Sequence, residues 1–189
     1  KPSLKDFAFS PDGNYLASIG DRDTAGSGNT QFRGPRHITI HQNLLYVADS
    51  GNHRVQIFDI ATPTTPTFVT SIGVTGEAGA DNQHLHEPSG VAVDASLIYI
   101  ADTFNQRIQI FNRSNRSYVA TIGGEWGQAN HQFGNPSDVA VDNAGNIFVA
   151  DFVNTRVQQF NANRQYVRTY GVTRTPYVSD GLHYNRPFG

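Results

Sequence analysis

The sequence predicts an all-β chain that forms a propeller of four-stranded antiparallel blades. Segments 45–58, 98–111 and 147–160 align almost residue for residue. They recur about every 50 residues, a period that in a strand-rich chain is typical of a radial array of small sheets. Each copy contains four short runs rich in β-branched and aromatic residues, and no window has a sustained helical period.

The second copy shows how the individual strands are predicted. Its four runs are 89–94, 97–101, 107–111 and 118–122, and the last run ends at Gly123. The first two runs are continuously apolar, which favours strands covered on both faces. Short polar turns separate consecutive runs, as antiparallel hairpins require. We therefore expect four-stranded blades in which the first strand is innermost.

The third run of each copy has a different pattern. In the first copy Val55 and Ile57 flank Gln56, so that apolar and polar residues alternate. Alternation of this kind favours a strand that is exposed on one face.

Long links connect the copies, and each link ends with an apolar residue three positions before a proline. We expect the apolar side chain to fill the gap between neighbouring blades. The proline fixes φ at the start of the innermost strand. The apolar residues are Phe32, Leu85, Phe133 and Tyr184, and the prolines are Pro35, Pro88, Pro136 and Pro187.

An aspartate and an arginine recur in every copy at a spacing of five residues. The aspartate ends the second strand and the arginine begins the third, so the pair is predicted to tie the turn between them by charge-assisted hydrogen bonds. A catalytic group is needed once per ring and not once per blade, so we interpret these carboxylates as structural. The pairs are Asp49 with Arg54, Asp102 with Arg107, and Asp151 with Arg156.

This set of motifs resembles the NHL-repeat family of β-propellers. Pro-x-x-Val-Ala-Val-Asp occurs at 88–94 and 136–142, and a Tyr/Phe-Val/Ile-Ala-Asp stretch follows in each copy. The first copy departs from the pattern at 37–41, so we expect its inner hairpin to turn differently. Asn-x-Arg-Val/Ile-Gln occurs at 52–56, 105–109 and 154–158.

The resemblance implies a closed ring of about six blades, of which the single domain 1–189 supplies about three whole blades and a partial one. An open stack would expose unpaired strand edges. We therefore interpret the chain as a segment of a longer propeller, with a ring completed by a second copy as the alternative. The predicted parts are the outer half of a blade at 1–20, blades at 35–73, 88–123 and 136–171, and the start of the next blade at 184–189.

Composition limits the classes of partner. The net charge is −2 and charged residues make up 16% of the chain, which predicts no nucleic-acid partner. No apolar run reaches membrane-spanning length, so no membrane insertion is expected. The chain has no cysteine, and an extracellular or cell-envelope location is predicted, with a cytoplasmic one left open. The triplets that start at Asn112 and Asn115 are glycosylation sequons.

Four side chains are candidate partner-binding residues. His53, Phe104 and Phe152 lie in the variable turns between the second and third strands, and Trp126 lies in a Gly-rich link. Large apolar residues at loop tips mark contact surfaces. The alternative is that they pack on the neighbouring blade.

His84 and His86 are a candidate for half of a metal site, because an extended segment would place both imidazoles on the same side of the chain. His84, however, falls four residues before the proline, where other copies have Gln31 and Gln132. Exchange of His with Gln indicates a hydrogen-bonding role, so no metal and no cofactor are predicted.

The motifs together favour a non-catalytic scaffold that presents loops to a protein or a glycan. The alternative is a metal-dependent hydrolase or lyase whose axial site is completed by further blades, as the resemblance implies for some relatives. RNA binding is known for others, but it needs a contiguous basic rim. The links instead mix acidic with basic residues.

Overall fold

The computed structural model describes residues 6–9, 15–20 and 24–171, which form a two-stranded ribbon and three four-stranded antiparallel sheets. The ribbon contains β1 (Asp6–Phe9) and β2 (Tyr15–Ile19). Blade 1 contains β3 (Pro35–His41), β4 (Leu44–Asp49), β5 (Arg54–Asp59) and β6 (Thr67–Ile72). Blade 2 contains β7 (Gly90–Val93), β8 (Leu97–Asp102), β9 (Arg107–Asn112) and β10 (Tyr118–Gly123). Blade 3 contains β11 (Pro136–Val141), β12 (Ile147–Asp151), β13 (Arg156–Phe160) and β14 (Tyr166–Tyr170).

Each blade is a meander in which consecutive strands are hydrogen-bonded neighbours. The first strands of the three blades lie side by side, with β7 between β3 and β11. The innermost position is therefore occupied by the first strand of each blade, and the sheets radiate from that row. The predicted propeller of four-stranded antiparallel blades is confirmed.

The hydrophobic core lies between the blades and not within a single one. One cluster joins Ile57 and Ile72 of blade 1 to Val91 and Ile98 of blade 2, with Leu85 of the link among them. Phe133 lies in the corresponding cluster between blades 2 and 3, and Phe32 packs on blade 1. All three link residues are buried. They fill gaps between elements as predicted, whereas Tyr184 lies outside the described residues.

The prediction that the third strands are half-exposed is wrong for blades 1 and 2. Gln56 and Gln109 are fully buried, as are the apolar residues beside them. The reason is that each glutamine amide hydrogen-bonds backbone carbonyls of a link that covers the strand. A polar side chain in an alternating pattern therefore faces protein and not solvent.

The prediction that the first strands are covered on both faces is wrong for β3. Ile38 and Ile40 are exposed, Ile40 by 59%. Among the described strands, β3 has an innermost neighbour on one side only, whereas β7 has one on both sides and is almost fully buried. Coverage therefore depends on the position of a blade in the row.

The inner hairpin of blade 1 differs from the other two, as its departing sequence predicted. Two residues join β3 to β4, and the first of them, Gln42, has a φ of 55°. In blade 2 the turn is stabilised by Asp94, whose Oδ1 accepts the backbone N–H groups of Ser96 and Leu97. Blade 3 uses a longer turn around Asp142 in the same way.

The helical elements in the described part of the chain are two single 3₁₀ turns, η1 (Ser50–Asn52) and η2 (Thr103–Asn105). Neither approaches the length and apolar character that a membrane-spanning helix needs.

Candidate partner-binding face

A buried carboxylate organises the turn between the second and third strands of each blade. In blade 1 Asp49 Oδ2 accepts hydrogen bonds from Arg54 Nε at 2.8 Å and from Asn52 Nδ2 at 2.8 Å. Gln56 Nε2 lies 3.2 Å from the same oxygen, and Asp49 Oδ1 accepts the backbone N–H of Arg33 at 2.7 Å. The predicted Asp–Arg tie is confirmed, and it belongs to a larger network.

The other end of each arginine holds the link that leads into its own blade. Arg54 donates from its two terminal nitrogens to the backbone carbonyls of Ser27, Gly28 and Gln31. A buried guanidinium is thereby satisfied by one carboxylate and several carbonyls, which is the condition for keeping such a charge out of water. The carbonyl acceptors are Ala80, Asp81 and His84 for Arg107, and Gln128, Ala129 and Gln132 for Arg156.

These bonds bring the links and the turns to one side of the propeller, which we call the link face. It consists of the links before β3, β7 and β11 together with the turns 50–53, 103–106 and 152–155. Backbone bonds join the two sets directly: the Phe104 N–H donates to the His86 carbonyl at 3.2 Å, and the Val153 N–H donates to the Gly134 carbonyl at 2.8 Å.

The four candidate partner-binding residues occupy this face with different exposures. Trp126 is 55% exposed and Phe104 is 42% exposed, whereas Phe152 and His53 are half-buried. His53 contacts His86 edge-on, with ring centroids 5.5 Å apart, and the His86 ring lies 5.3 Å from that of Phe104. A row of three rings therefore runs from His53 in the turn of blade 1, through His86, to Phe104 in the turn of blade 2.

Phe104 and Phe152 line the same cleft, which has a volume of about 360 Å³. Its floor comes from the starts of the innermost strands and includes His37 of β3 and Asp138 of β11. Trp126 is not among the residues that line it. The structure thus brings two of the four candidates to one concave site and leaves Trp126 apart from it.

His37 and Asp138 meet across a glycine of the strand between them. These two residues and Gly90 occupy the same position of their strands, two residues after the link proline. A Cβ atom on Gly90 would lie 2.2 Å from Asp138 Oδ1 and 2.6 Å from the Asp138 Cα, so any side chain there would require the backbone to shift. The pairing register shifts between Pro35 and His37 in β3 and between Pro136 and Asp138 in β11, directly before the two polar residues.

Asp138 is an incompletely satisfied carboxylate. Its Oδ1 is buried and accepts no hydrogen bond, and His37 Nε2 lies 3.7 Å away, beyond hydrogen-bond range. Burial raises the pKa of the Asp138 carboxyl, an effect that the nearby His37 and the Val139 backbone N–H oppose. His37 is held by the Val91 N–H, which donates to its Nδ1, so in the neutral ring Nε2 carries the proton.

The hydroxyl groups of the floor are already used within the protein. Ser89 Oγ donates to the Ser137 carbonyl at 2.7 Å, and Thr103 Oγ1 donates to the Pro136 carbonyl at 2.9 Å. At the rim, Arg36 lies 3.5 Å from Glu87 in an exposed ion pair.

The sequence-based reasoning did not single out His37 as a site residue, and it missed Gly90 and Asp138 altogether. The signal that was available is their variation. One strand position, otherwise embedded in a repeated motif, holds three chemically different residues in the three copies. A position that exists to build a blade would hold similar residues in each.

The link histidine His84 has the hydrogen-bonding role that its exchange with glutamine predicted. Its Nδ1 lies 2.8 Å from Asp81 Oδ1, and Gln132 at the corresponding position accepts from the Ala129 N–H. The His84 contact lowers the pKa of Asp81 to about 2, and Asp81 in turn raises the pKa of His84. In the described ranges, no three His, Asp or Glu side chains converge where a metal ion could be held.

Comparison with known families and curated proteins gives consistent matches. The NHL repeat matches three segments, 32–58, 85–111 and 133–160. Protein brain tumor of Drosophila melanogaster is 42% identical over 101 residues, which cover 52% of this chain and 10% of that protein. NHL repeat-containing protein 2 of Bos taurus is 31% identical over 108 residues, or 54% of this chain and 15% of that protein. The match thus spans a small part of each relative.

Solved structures with a similar fold are more distant in sequence. A functionally unknown protein from Desulfotomaculum acetoxidans DSM 771 has a TM-score of 0.60 at 19% identity, over 87% of this chain and 49% of that one. A chain of the nidogen/laminin complex has a TM-score of 0.53 at 18% identity, over 74% of this chain and 48% of that one. At these identities the likeness shows the fold alone.

Proposed function

Because this chain belongs to the NHL-repeat family, we propose that it is a non-catalytic propeller scaffold whose link face binds another protein. The buried Asp–Arg networks hold the links and turns in fixed positions. A surface that is ordered before binding loses less conformational entropy when a partner docks.

The observation that carries this proposal is the placement of two phenylalanines that do not recur. Phe104 and Phe152 line one cleft of the link face although they occupy different positions of their turns. A residue that builds a blade recurs in every blade, whereas a binding residue is needed once. The other copies hold Gly51 and Val153 in place of Phe104, and Ser50 and Thr103 in place of Phe152.

Trp126 and His53 are proposed as outer parts of the same contact surface. Aromatic side chains with large accessible area dominate the affinity of many interfaces. Trp126 has the larger exposed fraction and lies in the link between blades 2 and 3. His53 supports the ring row that ends at Phe104.

A protein is preferred over a glycan as the partner class. The Ser89 and Thr103 hydroxyls of the cleft floor donate to backbone carbonyls, so their protons are not available to the hydroxyls of a sugar. The alternative of a metal-dependent hydrolase or lyase, with its site completed by further blades, stays a prediction. No observation on the described residues favours it over the scaffold.

Capture of a partner by the purified chain tests this proposal. The chain is immobilised, proteins it retains from its native source are identified, and each is purified for a binding titration. We expect Phe104→Ser to lower the affinity for the partner by about tenfold or more, the loss expected when a central aromatic anchor is removed. Folding is expected to stay nearly unchanged because Phe104 is 42% exposed.

The matched control is Val119→Ser. Val119 lies on the outermost strand β10 and is 41% exposed, so it offers similar apolar area away from the link face. Equal affinity of the wild type and Phe104→Ser for every purified partner would contradict the proposal. Loss with Val119→Ser alone would place the contact surface on the outer strands.

An extracellular or cell-envelope location is also proposed, on the basis of the sequons and the lack of cysteine. Asn115 is exposed in the turn between β9 and β10, and Ser117 Oγ donates to its side-chain oxygen at 2.8 Å. Secretion of the chain from a eukaryotic host, followed by glycosidase treatment, tests whether either sequon carries a glycan.

A further inference from the structure

From the cleft geometry we infer that this site takes a single basic side chain, lysine or arginine, presented by the partner protein. The inference rests on the proposed function, because it names the group by which the bound protein is anchored. The argument has three parts: an acceptor without a donor, apolar walls, and a space of sufficient size.

The acceptor is Asp138 Oδ1. It is buried at the floor of the cleft and receives no hydrogen bond in the described structure. An ionised carboxylate only accepts hydrogen bonds, and a buried acceptor without a donor costs free energy. The ligand group that satisfies it must therefore be a donor, and a cationic donor gains the charge interaction as well.

The groups around Asp138 leave its charge available to a ligand. His37 Nε2 lies 3.7 Å from Oδ1, too far for a hydrogen bond. The other charged group lining the cleft, Arg36, is already paired with Glu87 at the rim. A cation that enters the cleft thus meets a carboxylate to which no cationic side chain of the described residues is hydrogen-bonded.

The walls favour a cation with an aliphatic stem. Phe104 and Phe152 line the cleft from two different blades. Aromatic rings attract ammonium and guanidinium groups, and lysine and arginine stems gain from apolar burial while the charged end stays polar. A neutral apolar side chain would fill the same walls but would leave Asp138 Oδ1 without a donor.

The cleft has room for a whole lysine or arginine side chain. Its volume of about 360 Å³ is at the lower end for small-ligand sites. Asp138 can lie against β7 because Gly90 has no side chain at the place that the Asp138 carboxylate occupies. In blade 1 the corresponding position carries His37, and in blade 3 it carries Asp138, so this combination occurs at one place among the described blades.

Single amino-acid probes test the inference without knowledge of the partner. The ¹⁵N-labelled chain is titrated with Nα-acetyl-lysine methylamide and Nα-acetyl-arginine methylamide, and with the neutral counterparts made from norleucine and citrulline. We expect the basic probes to shift the amide signals of Gly90 and Val139, with at least tenfold weaker binding of the neutral ones. Equal shifts by the neutral probes, or larger shifts by a methyl glycoside, would overturn the inference.

Two variants that each remove one negative charge test whether binding of the basic probes depends on Asp138. Asp138→Asn is expected to lower the affinity for the basic probes by at least about tenfold. Asp142→Asn, in the turn that follows the same strand, should bind them like the wild type, since asparagine preserves the turn that Asp142 stabilises. Unchanged binding by Asp138→Asn overturns the inference.

The same variants separate this inference from the proposed function. Suppose that Phe104→Ser loses binding of a purified partner and Asp138→Asn binds it at full affinity. The inference of a basic side chain then fails, and the proposed scaffold function is retained. If Phe104→Ser also retains full affinity, the proposed function itself fails.

Discussion

At the scale of single residues, the chain separates into side chains that recur and side chains that do not. Arg54, Arg107 and Arg156 recur, and each joins its turn to the preceding link through a buried network. His37, Gly90 and Asp138 share one strand position and have different chemistry. The first group explains the fold. In the second group His37 and Asp138 line the floor of the candidate site, and Gly90 lies against Asp138.

Replacement of Arg107 by alanine should lower the free energy of unfolding by about 3–5 kcal/mol, the cost of breaking a buried ion pair by removing one partner. The loss leaves the buried Asp102 without its 2.7 Å charge partner and removes one donor from each of three link carbonyls, two of which keep Gln109 Nε2 as a donor. Arg107→Lys should recover little, because an ammonium cannot reproduce the planar fork. Chemical denaturation measures both, with the exposed Arg168→Ala as a control near zero. An Arg107→Ala chain as stable as the wild type would contradict the structural role.

The His84–Asp81 contact predicts a defined pH range of stabilisation for its link. Asp81, with a pKa lowered from 3.8 to about 2, stabilises the folded state above pH 3.8, and this is lost as pH falls through 2. His84, with a pKa raised above 6.5, stabilises it below pH 6.5, and this is lost as pH rises through the raised pKa. NMR titration should show a His84 pKa above 6.5 that Asp81→Asn lowers. An unaltered titration in Asp81→Asn would rule out the contact.

At the scale of elements, the links are the parts that turn separate blades into one core. Each link places an apolar residue between sheets and is held by carbonyl bonds to an arginine and a glutamine of the blade it enters. A four-stranded blade has two faces to cover, and neighbouring blades with the link residue between them supply that cover. The links therefore determine both the spacing of the blades and the shape of the link face.

Leu85→Ala should destabilise the chain by about 2–5 kcal/mol, the usual range for a large-to-small change in a packed core. Leu85 is fully buried among residues of blades 1 and 2, so the cavity would lie between sheets. Thermal unfolding checks the prediction, and Val119→Ala on the exposed side of β10 is the control. A melting temperature equal to that of the control would mean that the blades do not depend on the link for packing.

At the scale of the whole molecule, the candidate site exists because three blades stand side by side. Its floor takes His37 from β3, Asp138 from β11 and Ser89 from the end of the link before β7, and its walls come from the turns of blades 2 and 3. The stacking also buries Asp138, which is the main cause of the raised pKa of that carboxyl.

Asp138→Asn should therefore stabilise the folded chain at neutral pH. The folded-state pKa of Asp138 is raised above its usual 3.8, so ionisation of this group costs stability as pH rises from 3.8 through the raised value. The variant has no such charge, and its melting temperature should exceed that of the wild type at pH 7 and approach it below pH 3.8. A variant less stable than the wild type at pH 7 would mean that the carboxylate is a favourable part of the fold, and a binding role would then be unnecessary to explain it.

The blades could be predicted from the sequence alone, because each blade is built from local hairpins whose strands and turns lie within about 40 residues. The sequence also predicted the Asp–Arg ties and the burial of Leu85 and Phe133, since both follow from positions that recur in every copy. It misassigned the exposure of Gln56, because an alternating pattern does not reveal that a polar residue faces a link carbonyl.

The cleft could not be predicted from the sequence and is seen only in the tertiary structure. His37 and Asp138 are far apart in the chain and become neighbours through the stacking of β3, β7 and β11. Their approach also requires the missing side chain of Gly90. Contacts across blades depend on how whole sheets pack, and packing is a property of surfaces that no local pattern in the sequence encodes.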